Sequence, residues 1–348
     1  MCCIILVFIL ILGTVFCIMK KREWFYPLKL DYVTRGYIWG GTRLSEEWGK
    51  KPASGSDVIA ESWELTVRPD AMNRIINGEC RGMTLKEYFA AVGYDSVSPL
   101  MTEKSDFPLL IKLIDAADDL SVQVHPDDGY ARAHGAPCGK NEMWYIIDAK
   151  PGARIAYGLS PGLRASDFGG YVESGNYAEA LNYIPVKPGE SYFIPAGMIH
   201  AIGRGILIAE IQQNCDITYR VYDYERRQKD GTLRQLHIKD ALNVVKSHDR
   251  SDADRLAFEM SGGIKRYPGR LAECRYFTTD IIDTSKNGPC EMYADEKSFH
   301  SLICIGGSGN IGFENNDFVF SKGDSYFIPA MCGRYTLNGD MKIIKTTL

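Results

Sequence analysis

The sequence predicts a mainly β protein made of two related β-modules with short helical insertions. Three observations lead there. Short runs of strand-forming residues, each bounded by Gly or Pro, recur along most of the chain. Helical spacing is confined to a few brief stretches. Finally, Gly189-Glu-Ser-Tyr-Phe-Ile-Pro-Ala196 returns as Gly323-Asp-Ser-Tyr-Phe-Ile-Pro-Ala330, and two strand-turn units so far apart suggest that each closes its own sheet.

The chain has 348 residues, 45% of them hydrophobic and 24% charged, enough apolar material for one sizeable core or two adjoining ones. The formal net charge of -4, with no basic run interleaved with aromatics, argues against a nucleic-acid partner. Ten scattered cysteines without a Cys-x-x-Cys pair read as reduced thiols, which places the main body in the cytoplasm.

Residues 1–19 carry no charge and are long enough to cross most of a bilayer core, and Lys20, Lys21 and Arg22 follow them. As a membrane helix this segment would leave the body tethered at the inner face of the membrane. The alternative is that translation starts at Met19 and residues 1–18 are no part of the protein. The expected division is a hydrophobic segment over residues 1–22, a catalytic module over 23–255 and a C-terminal module over 256–348.

From Glu23 onward, Gly36-Tyr-Ile-Trp-Gly-Gly41 and Glu61-Ser-Trp-Glu-Leu-Thr66 read as short strands. Thr84-Leu-Lys-Glu87 has the spacing of a capping box, and Gly93 stands where the helix that follows it would stop. Residues 108–114, 120–124 and 143–147 are strand candidates. Small polar residues from Arg164 to Tyr183 read as inserted short helices, and strands resume at 184, 205–212 and 217–222. A helix is expected over 236–245. The charged stretch from Ser247 to Arg255 reads as a linker, after which the chain is again β-rich.

In Leu120-Ser-Val-Gln-Val-His-Pro-Asp-Asp128 the apolar Leu120, Val122 and Val124 alternate with Ser121, Gln123 and His125, so Gln123 and His125 share the face opposite the apolar set. An amide oxygen and a neutral imidazole nitrogen suit a borderline divalent metal such as zinc, though two ligands do not complete a site. Lys112, inside the apolar run 109–113, must either point outward or serve a pocket. The repeat closes on Gly189, Pro195, Gly197 and His200. There glycines permit the turn and the imidazole can be aimed inward.

That last spacing resembles the second motif of the cupin superfamily, whose double-stranded β-helix (jelly-roll) barrels hold a metal. With Gln123, His125 and Glu142 standing for the first motif, the chain is similar to the type I mannose-6-phosphate isomerases in their short bacterial form, from about Tyr26 to its end. Matching stretches include Tyr37-Ile-Trp-Gly-Gly-Thr42, Glu61-Ser-Trp-Glu64, Leu109-Leu-Ile-Lys-Leu113, Gly139-Lys-Asn-Glu-Met-Trp144 and Ile217-Thr-Tyr-Arg-Val-Tyr-Asp223. The resemblance implies two cupin-like barrels and one Zn2+ per chain on Gln123, His125, Glu142 and His200. It also matches Arg220 to the family's active-site arginine and puts Lys112, Lys140, Glu210, Trp39 and Glu61 in or near the pocket.

The implied reaction interconverts mannose 6-phosphate and fructose 6-phosphate, small sugar phosphates, through an enediol. Such chemistry needs charge stabilisation, a base above C1 and C2 and a cationic clamp on the phosphate. Glu210 or Lys112 is the candidate proton carrier. Arg220 and Lys140 are the candidate clamp, with the arginine alternatively assisting the enediolate. The competing expectations are another metal-dependent cupin acting on a different phosphosugar and a non-catalytic sugar-phosphate-binding cupin. At the repeat position of His200 the second module carries Arg334, expected to fill its barrel through an internal ion pair.

Overall fold

The computed structural model describes residues 22–228, 230–260 and 269–348. The apolar segment 1–19, with the choice between a membrane anchor and a start at Met19, lies outside the described residues. Among these, no helix is long and apolar enough to cross a membrane. The chain is mainly β and divides into two compact units. One comprises Tyr32–Ala71 and Asp106–Asp280. The other comprises residues up to Asp31, Met72–Ser105 and Ile281–Leu348.

The core of the first unit is two antiparallel sheets packed face to face. Its strands are β1 (Val33–Arg35), β2 (Glu61–Leu65), β3 (Leu109–Ala116), β4 (Val122–Val124), β5 (Glu142–Ala149), β6 (Arg154–Leu159), β7 (Leu181–Pro185), β8 (Ser191–Ile194), β9 (His200–Ile202), β10 (Ile206–Gln213) and β11 (Tyr219–Tyr222). The six-stranded sheet runs β8-β5-β10-β3-β2-β1 and the five-stranded sheet runs β7-β6-β9-β4-β11. Alternation decides which side of each strand enters the core. Ile155, Tyr157 and Ile202 of the smaller sheet meet Ile114, Trp144, Ile146 and Ile208 of the larger one in a shared apolar cluster. The opposite face of the smaller sheet, with Val122, Val124, Ile199 and Val221, is covered by the inserted helix Phe168–Glu173 through Phe168 and Val172, and by the helix Ile238–Val244 through Ala241 and Val244. Each fully buried Val, Leu, Ile or Phe contributes roughly 1.5–3 kcal/mol relative to exposure, so these two clusters dominate the unit's cohesion.

Two expectations for this unit change. Gly36 to Gly41 forms no strand. It is a turn tied by isolated bridges, Gly40 to Ala116 and Gly41 to Ile59, because a side chain at Gly40 would meet Ala60 at 2.6 Å. The charged stretch expected as a linker becomes the helix Arg250–Met260. Ala253 and Ala257, four apart, supply its buried stripe, while Arg255 bridges Asp252 and Glu259 on the exposed side.

The second unit holds β12 (Cys290–Ala294), β13 (His300–Phe313), β14 (Asn316–Ser321), β15 (Ser325–Ile328) and β16 (Gly333–Thr347), and the short strand Leu28–Leu30 pairs with β15. Its helix Leu85–Val92 has the expected capping box, Thr84 and Glu87 each bonding the other's backbone, and ends at Gly93 with φ +109. The internal repeat is structural. Gly189 and Gly323 share φ values of +94 and +92, and each is followed by a Ser-Tyr-Phe-Ile strand. At the place of Gly197 (φ +92) stands Met331, which keeps φ at +64 despite its side chain. Arg334 does not fill the barrel. It pairs with Glu291 at 2.9 Å with both side chains 70% exposed, and the buried interior is taken by His300 bonded to Tyr335 at 2.7 Å.

Candidate functional site

Strand register assembles the site as two facing rows. On the smaller sheet Gln123 lies between His200 of β9 and Arg220 of β11. On the larger sheet Glu210 of β10 lies between Lys112 of β3 and Trp144 of β5, and Lys112 is paired in turn with Trp63 of β2. Glu142 opens β5 two residues before Trp144, on the same face.

At the centre the rows meet. His125 Nε2 lies 3.6 Å from Glu142 Oε2, His200 Nε2 lies 3.5 Å from Glu142 Oε1, and Gln123 reaches His200 Nε2 at 3.3 Å. Among the described residues, His125, Glu142 and His200 are the group of His, Cys, Asp or Glu whose ligand atoms all fall within 4.8 Å of one another, and all three are buried. The backbone aims both rings. His125 Nδ1–H donates to the Ile217 carbonyl and His200 Nδ1–H to the Met198 carbonyl, each at 2.8 Å, so both Nε2 lone pairs face the carboxylate. The Gln123 amide, written with its nitrogen toward His200, presents its oxygen there after a simple flip.

Burial drives both imidazoles to the neutral form, His200 down to about 4 and His125 well below its usual range, with Lys140 adding to the effect. Burial pushes the Glu142 carboxyl up to about 7, against the pull of Lys140 at 2.9 Å. His125 Nε2 and both Glu142 oxygens are buried with no aligned hydrogen bond. Two neutral imidazoles, a carboxylate met by the Lys140 ammonium and an amide aimed at one point fit a divalent cation such as zinc.

Beside this centre lies an ion-pair row. Lys112 Nζ is 3.0 Å from Glu210 Oε1 and 3.6 Å from Glu61 Oε2. Burial alone would neutralise both members. Instead Lys112 holds Glu210 down at about 2, and Glu210 and Glu61 hold the ammonium above its usual range. Trp144 Nε1 donates to Glu210 at 3.2 Å and Trp63 Nε1 to Glu61 at 2.7 Å, fixing both carboxylates. Arg220 is partly buried, burial lowers its pKa, and its Nε has no hydrogen-bond partner.

Of the ten residues expected from sequence, nine gather at this centre and along its ion-pair row, and Trp39 is not among them. Trp39 is 3% exposed and packs with Ala60, Ile114 and Ala116 in the core, while its carbonyl accepts the amides of Ala117 and Asp118. Three aromatic residues escaped the sequence reading. Trp63 and Trp144 stand two residues from Glu61 and Glu142, so the strand period placed them on the same faces. Tyr37, packed on Trp39 at 5.5 Å, shares the electrostatic field of Glu61, Lys112 and Arg220, and burial raises its phenol pKa.

The family model for Phosphomannose isomerase type I, catalytic domain, matches residues 28–156, and the one for Mannose-6-phosphate isomerase, cupin domain, matches residues 269–348. Mannose-6-phosphate isomerase from Bacillus subtilis is 34% identical over 323 residues, covering 92% of this chain and 99% of that protein. The Streptococcus mutans mannose-6-phosphate isomerase is 33% identical, covering 91% and 97%. Among solved structures, the Bacillus subtilis mannose 6-phosphate isomerase superposes with a TM-score of 0.81 at 32% identity, covering 92% of this chain and 99% of that one. A phosphomannose isomerase variant from Salmonella typhimurium shares the fold, with a TM-score of 0.70 at 16% identity over 92% of this chain and 98% of its own.

Proposed function

Because the chain belongs to the type I mannose-6-phosphate isomerases, a family of aldose-ketose isomerases, we propose that it interconverts mannose 6-phosphate and fructose 6-phosphate through an enediol at a single metal centre. The observation that carries this is the buried convergence of Gln123, His125, Glu142 and His200 beside the Lys112–Glu210 pair. Those four residues would hold one zinc ion. When bound, the metal would supply positive charge to the sugar oxygens at C1 and C2 as the proton moves between those carbons.

The chain's own residues do the rest. Glu210 is the proton carrier: Lys112 keeps it ionised and therefore able to accept, and Trp144 keeps its second oxygen in place. Lys112 is less suited, because its ammonium is held charged between two carboxylates. Arg220, in register beside Gln123 with its Nε unmatched, meets the negative charge that develops on the reacting end. Lys140 sits against Glu142 rather than at a distance from the centre, so its role is to balance the ligand carboxylate and not to clamp the phosphate. Glu61, fixed by Trp63, faces the sugar hydroxyls from the other end of the row.

Glu210→Gln tests the assignment. With zinc content unchanged, kcat should fall by about 10²–10⁴-fold. A variant that keeps near-normal kcat would move the proton carrier elsewhere. A panel of other aldose phosphates turned over faster than mannose 6-phosphate would replace the substrate.

A further inference from the structure

We propose that the outer face of the smaller sheet carries a binding site for a nucleoside phosphate, separate from the metal cleft. A cavity of about 360 Å³, within the roughly 300–1,000 Å³ of small-molecule sites, opens at one end of β6, β7 and β9, and Tyr183, Tyr224, Arg154, Arg204 and Asp119 line it. Two alanines leave the space. Register sets Tyr183, Ala156 and Ala201 in one row across the three strands. Ala201 follows the metal-site residue His200, so strand alternation turns it to the opposite side of the sheet.

Each part of such a ligand has a matching group. The Arg154 guanidinium lies over the Tyr183 ring at 4.2 Å, a flat cationic surface of the kind on which a base stacks. The Tyr224 ring is held by Tyr222, with centroids 4.9 Å apart, and by the Arg226 guanidinium at 5.1 Å, itself tied to Asp223 at 2.7 Å. Tyr224 keeps φ at +56, so the chain holds an aromatic ring at the cavity in a conformation that glycine adopts far more easily.

The anionic part would fall to Arg154 and Arg204, whose guanidinium groups have no ion pair or hydrogen bond among the described residues. Gly203 brings them to one rim. A Cβ there would run into the Arg154 carbonyl, so only glycine lets the turn after β9 close on the start of β6. Arg204 N–H donates to Asp119 Oδ1 at 2.8 Å and fixes that turn. The second Asp119 oxygen is left to accept a ribose hydroxyl, the role an acidic side chain plays in dinucleotide sites. A bare phosphate would use the arginines alone, and a neutral sugar would leave them unmatched. A ring, a diol and a phosphate on one molecule use all of these groups.

The test is calorimetric titration of the zinc-loaded full chain with AMP, GMP and UMP, and with inorganic phosphate as the anion that lacks ring and ribose. At least one nucleotide should bind with a Kd tighter than about 1 mM, and phosphate about tenfold more weakly or worse. Arg154→Gln and Arg204→Gln, both at exposed positions, should each weaken that nucleotide by about 10–100-fold with an unchanged circular dichroism spectrum, and Tyr183→Ala should do the same through loss of the ring. Binding is read without sugar phosphate or turnover, so failure here is distinct from failure of the isomerase reading. No nucleotide binding tighter than about 1 mM, phosphate binding as tight as the nucleotide's, or arginine variants that bind as well as the wild type would overturn the proposal.

Discussion

Both imidazoles of the centre are fixed as the same tautomer by main-chain carbonyls, so their orientation depends on Ile217 and Met198 rather than on the metal. At this scale the Lys112–Glu210 pair makes a pH prediction. The Glu210 carboxyl lies at about 2 in the fold and near 4.5 when unfolded, so its contribution to stability is present above about pH 4.5 and is lost as pH falls toward 2. Between about pH 5 and pH 3, urea midpoints of the wild type should therefore fall more steeply than those of Glu210→Gln. Parallel curves would show that the pair is not coupled as described. Gln123 and His125 were legible in the sequence because strand alternation sorts a face. Trp39, for which packing was the stronger expectation, sits in the core, where Gly40 presses that segment against Ala60.

Register is what converts scattered residues into a site. A strand slipped by one residue would turn Lys112 or Gln123 away from the cleft. The turn that sets β9 is held by Gly197, whose N–H donates to the His125 carbonyl at 2.8 Å and whose carbonyl accepts Lys246 N–H at 2.8 Å. At φ +92, with Val244 O 3.0 Å from a would-be Cβ, Gly197→Ala should cost more than about 1 kcal/mol and weaken zinc binding, because two ligands hang on that turn. Unfolding and zinc titration check both; unchanged values would remove the turn from the account. The strands over 109–116 and 206–213 were readable from apolar content, and the helix at 85–92 from its cap. The helix Arg250–Met260 was hidden, because a stripe of two alanines among six charged or polar neighbours gives little hydropathic signal.

At the scale of the molecule, the chain passes between its two units more than once, so Met72–Ser105, with the capped helix, groups with the C-terminal strands. Only long-range contacts determine such grouping, and a linear reading that puts a boundary near residue 255 has no access to them. The repeat itself was legible, since the turn geometry at Gly189 and Gly323 demands the same residues twice. Binding of zinc to the folded chain alone should raise its melting temperature with the logarithm of ligand excess, by the equivalent of about 2.7 kcal/mol at a hundredfold over Kd. The same addition should leave His200→Ala unmoved in a thermal shift measurement.

The central claim, a metal-dependent isomerase of mannose 6-phosphate, is tested most directly by a coupled assay of purified protein. Activity is measured as isolated, after chelation and after zinc is restored. The account predicts fructose 6-phosphate formation that vanishes on chelation and returns with zinc. Full turnover in a sample stripped of metal, or none in a folded, zinc-loaded one, would contradict it.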